Sequence, residues 1–146
     1  MLDAVDLPPV WTIAHMALAA LVAHYFSFDL GVLPVLGWVL MAVAVALTVA
    51  AALAMLRAKT PVLPRRNPST LVTSGVFSVS RNPIYLADIL VLVGWCLAIG
   101  QPLAAVLAYP LYWVLDRRFA APEERRLTAL FGDEFATYAS RVRRWL

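Results

Sequence analysis

Charged residues and cysteine are scarce in this chain of 146 residues. Only 14% of the residues are charged, 62% are hydrophobic, and the mean hydropathy is +0.78. Soluble domains average about 25% charged and about 45–50% apolar residues, so this composition argues against a water-soluble globule and against disorder. The single cysteine, Cys96, excludes a disulfide within the chain and a cysteine-ligated metal cluster.

Glycine and histidine are also missing from the patterns that nucleotide- and metal-binding motifs need. The six glycines do not form a G-x-G-x-x-G sequence or a P-loop. The two histidines, His15 and His24, lie too far apart for the i, i+4 pair that commonly binds zinc on a helix. We therefore predict no metal site and none of the soluble nucleotide-binding folds.

Long apolar runs make up much of the sequence, and they predict an all-α integral membrane bundle of about four transmembrane helices. A spanning helix needs roughly 20 apolar residues. The four candidate spans cover residues 9–28, 33–56, 83–99 and 102–115. We expect one domain, 1–146, with a cytosolic loop at 57–81 and a cytosolic tail at 116–146.

The second candidate span carries alanine at every fourth position. These residues are Ala42, Ala46, Ala50 and Ala54. Small side chains on one helix face allow a second helix to approach closely. Alanine also favours helix formation without any such contact, so the sequence leaves both interpretations open.

The basic residues predict the orientation in the membrane. All 12 lysines and arginines fall in the loop and the tail, and they give the chain a net charge of +3. An even number of spans puts both segments on one side, which the positive-inside rule identifies as the cytoplasm. We therefore expect a membrane and no nucleic acid as partner. The alanine- and arginine-rich composition favours a bacterial inner membrane.

The tail predicts an amphipathic helix that lies in the membrane interface. Its start carries Glu123 and Glu124, which suit the positive end of a helix dipole. Beyond Gly132, aromatic and aliphatic residues recur at helical spacing, with arginines beside them. These residues are Phe135, Tyr138, Val142 and Trp145.

Two polar features near the third span are candidates for function. Asp88 is the one acid within that span, where a carboxylate is costly and usually faces a cavity or a partner. A protonated or arginine-paired structural aspartate is the alternative. Arg81, Asn82 and Pro83 form a helix entrance that can hold an anionic group. A simple helix start with an anchoring arginine explains the same residues.

The adjacent Glu123 and Glu124 allow two interpretations as well. They are acceptors suited to an ammonium group and ribose hydroxyls, or they are a solvated helix start. A sulfonium ligand would favour carboxylates together with aromatic faces. Tyr85 is one candidate for such a face.

Two segments resemble the signatures of a family of integral-membrane methyltransferases. Residues 75–86 read GVFSVSRNPIYL, and residues 123–146 read EERRLTALFGDEFATYASRVRRWL. They are similar to the motifs of the isoprenylcysteine carboxyl methyltransferases and the phospholipid (phosphatidylethanolamine) N-methyltransferases. The resemblance extends from about residue 71 to the end of the chain.

This resemblance implies that S-adenosylmethionine binds between the C-terminal helical hairpin and the tail, and that lipophilic substrates arrive from the bilayer. The cofactor-binding residues that it implies are Arg81, Asn82, Pro83, Tyr85, Glu123 and Glu124. The candidates for a part in catalysis are Glu124, Arg81, Asp88 and Arg117. Arg117 shares a face with Glu124 only if the helix continues unbroken through Pro122.

The expected function is transfer of a methyl group from S-adenosylmethionine to a lipophilic substrate at the cytosolic side of the membrane. A prenylcysteine-type carboxylate, a phospholipid amine and a small hydrophobic nucleophile all remain possible acceptors. Two other functions also remain open. One is a non-catalytic membrane scaffold of the same fold, and the other is a membrane reductase that uses a nicotinamide cofactor.

Overall fold

The described part of the chain is built from helices and contains no strand. The computed structural model describes residues 6–26, 28, 31–62 and 67–146. Its α-helices are α1 (Pro8–Tyr25), α2 (Leu33–Arg57), α3 (Pro83–Ala98), α4 (Ala108–Leu115) and α5 (Ala121–Arg141). Its shorter helical turns are two 3-10 turns, Gly75–Ser78 and Pro102–Leu107, and one π-helical turn, Asp116–Ala120. The predicted all-α fold is confirmed.

One described helix is long and apolar enough to cross a membrane by itself. This helix is α2, with 25 residues, and its bounds agree with the predicted span at 33–56 to within a residue. The apolar α3 is shorter, with 16 residues. The other three predicted spans therefore stay predictions. Asp29 and Leu30, between the first two predicted spans, lie outside the described residues.

The closest helix packing joins α2 to α3. A Cβ atom added to Gly37 would lie 2.5 Å from both the nitrogen of Ala98 and the carbonyl oxygen of Gly94. Such distances are below van der Waals contact, so the two backbones meet because glycine stands at this position. The buried residues of α2 are Gly37, Ala44 and Ala51, at heptad spacing.

The alanine repeat of α2 does not mark this contact. Ala42 and Ala46 are exposed, and the close approach uses the neighbouring face of the helix. For these two residues the close-packing interpretation is therefore wrong. Four-residue spacing follows one helix face, but it does not reveal which face meets a partner.

The π-helical turn joins α4 to α5 without a break. The N–H of Ala121 bonds to the carbonyl of Asp116, five residues earlier. A proline inside an α-helix clashes with the carbonyl four residues before it, and the wider turn accommodates Pro122. The extra residue in this turn shifts the helix register. Asp116, and not Arg117, therefore shares a face with Glu124.

The tail bends at Gly132 and leaves the helix after Arg141. Gly132 has φ 49° and ψ −120°, a combination that only glycine adopts without strain. Val142 is already extended, with φ −119° and ψ 129°. The predicted helical spacing through Val142 and Trp145 is therefore wrong, because the last residues turn back toward the start of α3. Phe135 is buried inside the protein.

Candidate functional site

The start of α3, the π-helical turn, the start of α5 and the C-terminal segment meet in a group of charged side chains, which we call the polar cluster. Its members are Arg81, Asp116, Glu124 and Arg144. Glu124 pairs with Arg81 (Nη2–Oε1, 3.0 Å) and with Arg144 (Nη2–Oε2, 2.6 Å). Arg144 also donates from Nη1 to Asp116 Oδ1 at 3.0 Å. One carboxylate therefore holds two arginines from distant parts of the chain.

Backbone contacts anchor the C-terminal segment against the start of α3. The N–H of Arg81 donates to the carbonyl of Arg143 at 3.0 Å. The Ser80 hydroxyl and the Asn82 side-chain amide both donate to the carbonyl of Arg144, each at 3.2 Å. These bonds explain why the chain leaves the helix after Arg141: its last residues bond to α3 instead.

Glu123 has a different environment from its neighbour Glu124. It accepts a hydrogen bond of 2.7 Å from the Tyr85 hydroxyl, and no described arginine lies within salt-bridge distance of it. Burial raises the pKa of Glu123, and the hydrogen bond from Tyr85 opposes this effect in part. Glu123 is therefore more easily protonated than an ordinary glutamate.

One further hydrogen bond lies beside the polar cluster. The Tyr138 hydroxyl donates to the carbonyl of Phe77 at 2.6 Å and thereby ties α5 to the 3-10 turn at Gly75–Ser78. Burial raises the pKa of Tyr138 to about 12, so the hydroxyl stays protonated. The hydrogen bond to Glu124 raises the pKa of Arg144, which keeps this guanidinium charged.

An apolar cavity of about 220 Å³ opens beside the polar cluster, and we call it the larger cavity. It lies between the start of α1 and the second half of α2, which both pack on α3 and hardly touch each other. Thr48 and Met55 line it from α2. Arg81, Tyr85 and Glu123 line its polar end.

A smaller cavity of about 60 Å³ lies on the other side of the same residues. Its walls come from α5 and from the chain that follows α2. The two cavities share Met55, Phe77, Arg81, Asn82 and Glu123. Glu124 lines the smaller cavity alone. Arg81 of the polar cluster therefore lies between an apolar cavity and one with mixed walls.

The unpaired atoms of the polar cluster fit an amino-acid group. Among the described residues, Arg81 Nε and Arg144 Nε are buried without a hydrogen-bond partner, and Glu124 Oε1 makes only the ion pair with Arg81. Buried polar atoms normally have hydrogen-bond partners, so unpartnered atoms grouped in one place indicate a site where a ligand could supply those partners. Two donors and one acceptor match the carboxylate and ammonium of a zwitterion. The amino-acid end of S-adenosylmethionine is such a group.

The six residues expected to bind the cofactor lie close together in the structure. Pro83 and Tyr85 line the larger cavity with Arg81, Asn82 and Glu123, and Glu124 lies across the shared wall. Two candidates for catalysis are placed elsewhere. Arg117 is exposed and stacks over Trp113 at 5.7 Å.

Asp88 lies one helical turn beyond Tyr85 along α3 and lines neither cavity. One of its carboxyl oxygens, Oδ2, is buried without a partner among the described residues. The structure therefore does not join Asp88 to the polar cluster.

Sequence reasoning missed two members of the polar cluster, Asp116 and Arg144. Arg144 lies in the second motif, but its spacing predicts only one of several arginines beside an interfacial helix. For Asp116, the proline at 122 indicates an irregularity in the helix but not a wider turn. That turn brings Asp116 to the face of Glu124.

Comparison with known proteins agrees with the two motifs. The sequence model of the phospholipid methyltransferase family matches residues 32–134. An uncharacterized protein of Haemophilus influenzae is 38% identical over 63 residues, which cover 43% of this chain and the whole of that protein. The matched residues include all of α2, α3 and α4 and the start of α5. The chain therefore belongs to the phospholipid methyltransferase family.

Proposed function

We propose that this protein transfers a methyl group from S-adenosylmethionine to a lipophilic acceptor at the cytosolic face of a membrane. The observation that carries the proposal is that Arg81 of the polar cluster, together with Tyr85 and Glu123, lines an apolar cavity between α1 and α2. A charged cofactor and a lipophilic acceptor need such adjoining polar and apolar spaces. The family match supports methyl transfer to a lipid-type substrate.

In this proposal the polar cluster binds the amino-acid end of the cofactor. Glu124 would accept from the ammonium group and Arg81 would donate to the carboxylate, while Arg144 holds Glu124 in place. Asn82 and Pro83 hold the start of α3 in position, and the aromatic face of Tyr85 would favour a sulfonium. When bound, the cofactor would supply an electrophilic methyl group, whose bond to sulfur would break as the bond to the acceptor forms.

The residues of the chain contribute orientation, exclusion of water and proton transfer. An amine acceptor must lose a proton, and Glu123 is the carboxylate that lines both cavities. Its raised pKa suits a group that takes up this proton. A carboxylate or other anionic acceptor would need no such base. Asp88 and Arg117 have no role in this assignment because they line neither cavity.

The proposed arrangement in the membrane has four spans in one domain, 1–146. They are α1, α2, α3 and the segment from Pro102 through α4. The loop and the tail, which carry all 12 basic residues, lie in the cytoplasm of a bacterial cell. The larger cavity then opens toward the bilayer between α1 and α2.

Calorimetric titration of the detergent-purified protein with S-adenosylmethionine tests the proposal. We expect wild-type binding that Glu124→Gln and Tyr85→Ala weaken, the former by roughly tenfold or more because it loses charge-assisted hydrogen bonds. Glu134→Gln, a change at an exposed acid of α5, is the matched control. Wild-type protein that does not bind S-adenosylmethionine overturns the proposal. Binding of NADPH in its place would identify a reductase.

A further inference from the structure

The chain after α2 forms a closed neck of two adjoining segments, residues 59–61 and 68–72, which we call the loop neck. Its centre is Thr60, which is 4% exposed. The Thr60 hydroxyl donates to the carbonyl of Thr70 at 3.0 Å and accepts from the N–H of the same residue at 3.2 Å. Ser69 adds a bond from its hydroxyl to the carbonyl of Lys59 at 2.8 Å.

The loop neck is one wall of the smaller cavity. Pro61, Pro68 and Leu71 line the cavity from the neck, and Leu127 and Phe135 line it from α5. Prolines have no N–H, and the facing side chains are hydrocarbon, so these two walls form an apolar slot. The slot meets the polar cluster at one end.

The two facing walls of this slot suit the apolar faces of a ring system. Its volume of about 60 Å³ is much smaller than the 220 Å³ of the larger cavity. A lipid tail has the larger cavity on the other side of Arg81. The smaller cavity therefore matches a ligand half that is planar and apolar on its faces and is joined to a zwitterionic half.

We propose that the loop neck holds the adenine half of S-adenosylmethionine against α5, and that Thr60 is the positioning residue that keeps the neck in place. This inference rests on the proposed function. The hydroxyl of Thr60 bonds to both backbone atoms of Thr70, so it fixes the separation of the two segments. Loss of the hydroxyl would let the wall of the slot move away from Phe135.

The test compares Thr60→Val, which keeps the shape and removes the hydrogen bonds, with Thr60→Ser, which keeps them. Two ligands are titrated calorimetrically: S-adenosylhomocysteine, and methylthioadenosine, which lacks the amino-acid end. We expect Thr60→Val to weaken both by a similar factor, roughly tenfold, and Thr60→Ser to bind nearly as the wild type does. Glu124→Gln should weaken S-adenosylhomocysteine alone.

Two further variants make the result decisive. Val72→Trp fills the slot from the neck without changing the bonds of Thr60, and it should abolish methylthioadenosine binding even if Thr60→Val does not fold. Thr137→Val, at an exposed position of α5, controls for loss of a threonine hydroxyl. Wild-type protein that binds neither ligand contradicts the proposed function. Wild-type binding that both Thr60→Val and Val72→Trp leave unchanged contradicts the role of the neck.

Discussion

Two regions fix the position of α3, one in its apolar second half and one at its polar start. In the apolar region Gly37 and Gly94 let α2 and α3 meet backbone to backbone. At the start of α3, Arg81 is held by Glu124 and by the carbonyls of Ala139 and Arg143. The first contact depends on the absence of side chains and the second on paired charges.

This difference indicates that the apolar region serves the fold alone, whereas the polar region can also bind a ligand. Packing at Gly37 leaves no space for a ligand, since even a methyl group would overlap the backbone of Ala98. The polar cluster keeps unpaired donor atoms on Arg81 and Arg144. Such atoms cost stability unless a ligand supplies partners for them. We therefore expect ligand binding to stabilise the polar region and to leave the apolar contact unchanged.

The largest expected effect is that of Glu124→Ala. It leaves two arginines without their shared carboxylate, and breaking a buried ion pair costs about 3–5 kcal/mol. For a chain of this size that corresponds to a fall in Tm on the order of 10 °C. Thermal unfolding in detergent measures it, with exposed Glu134→Ala as control. Equal Tm values for the two variants would show that the polar cluster does not hold the fold together.

Gly37→Ala should have the next largest effect. The added Cβ would lie 2.5 Å from two backbone atoms, so α2 and α3 must separate, at a cost of about 1–3 kcal/mol. Ala46→Val, on the exposed side of the same helix, should leave the Tm nearly unchanged. The contact is not as close as described if Gly37→Ala unfolds at the wild-type temperature.

The comparison also shows what the sequence could predict. The bounds of α2 and α3 followed from apolar runs that end at Arg57 and near Gly100, and the two motifs named most of the residues in the site. Local patterns carry this information. The position of Arg144 could not be predicted, because it depends on backbone bonds between the last residues and the start of α3.

The π-helical turn escaped prediction for a similar reason. Residues 116–120 carry no signal for a wider turn, and the proline after them suggested either a break or a new helix. The structure accommodates Pro122 by widening the turn, which moves Arg117 out to the surface and Asp116 into the polar cluster. A spacing of seven residues predicts a shared face only while the helix stays regular.

Glu123→Gln tests the contrast between the two adjacent glutamates, with a smaller effect. Burial raises the pKa of Glu123 in the folded protein. Its contribution to stability is therefore complete below the usual glutamate pKa and is lost as the pH rises through the raised pKa. We expect Glu123→Gln to match the wild type at low pH and to unfold at a slightly higher temperature than the wild type above the raised pKa.

Unfolding temperatures measured between pH 4 and pH 8 test this expectation. The control is Glu134→Gln, whose Tm difference from the wild type should not change with pH. A Glu123→Gln protein that loses stability relative to the wild type as the pH rises would show that the ionised carboxylate is the form the fold favours.

Arg118→Ala should have the smallest effect, although Arg118 also pairs with an acid. Its guanidinium donates to Asp6 at 2.8 Å and lies over Trp11 at 5.4 Å, but its side chain is 51% exposed. Water and salt screen such a pair, and exposed pairs contribute little. We expect no measurable change in Tm at moderate salt. A fall in Tm comparable to that of Glu124→Ala would mean that the Arg118–Asp6 pair stabilises the protein as much as the pairs of Glu124 do. Solvent exposure would then not explain the difference between these ion pairs.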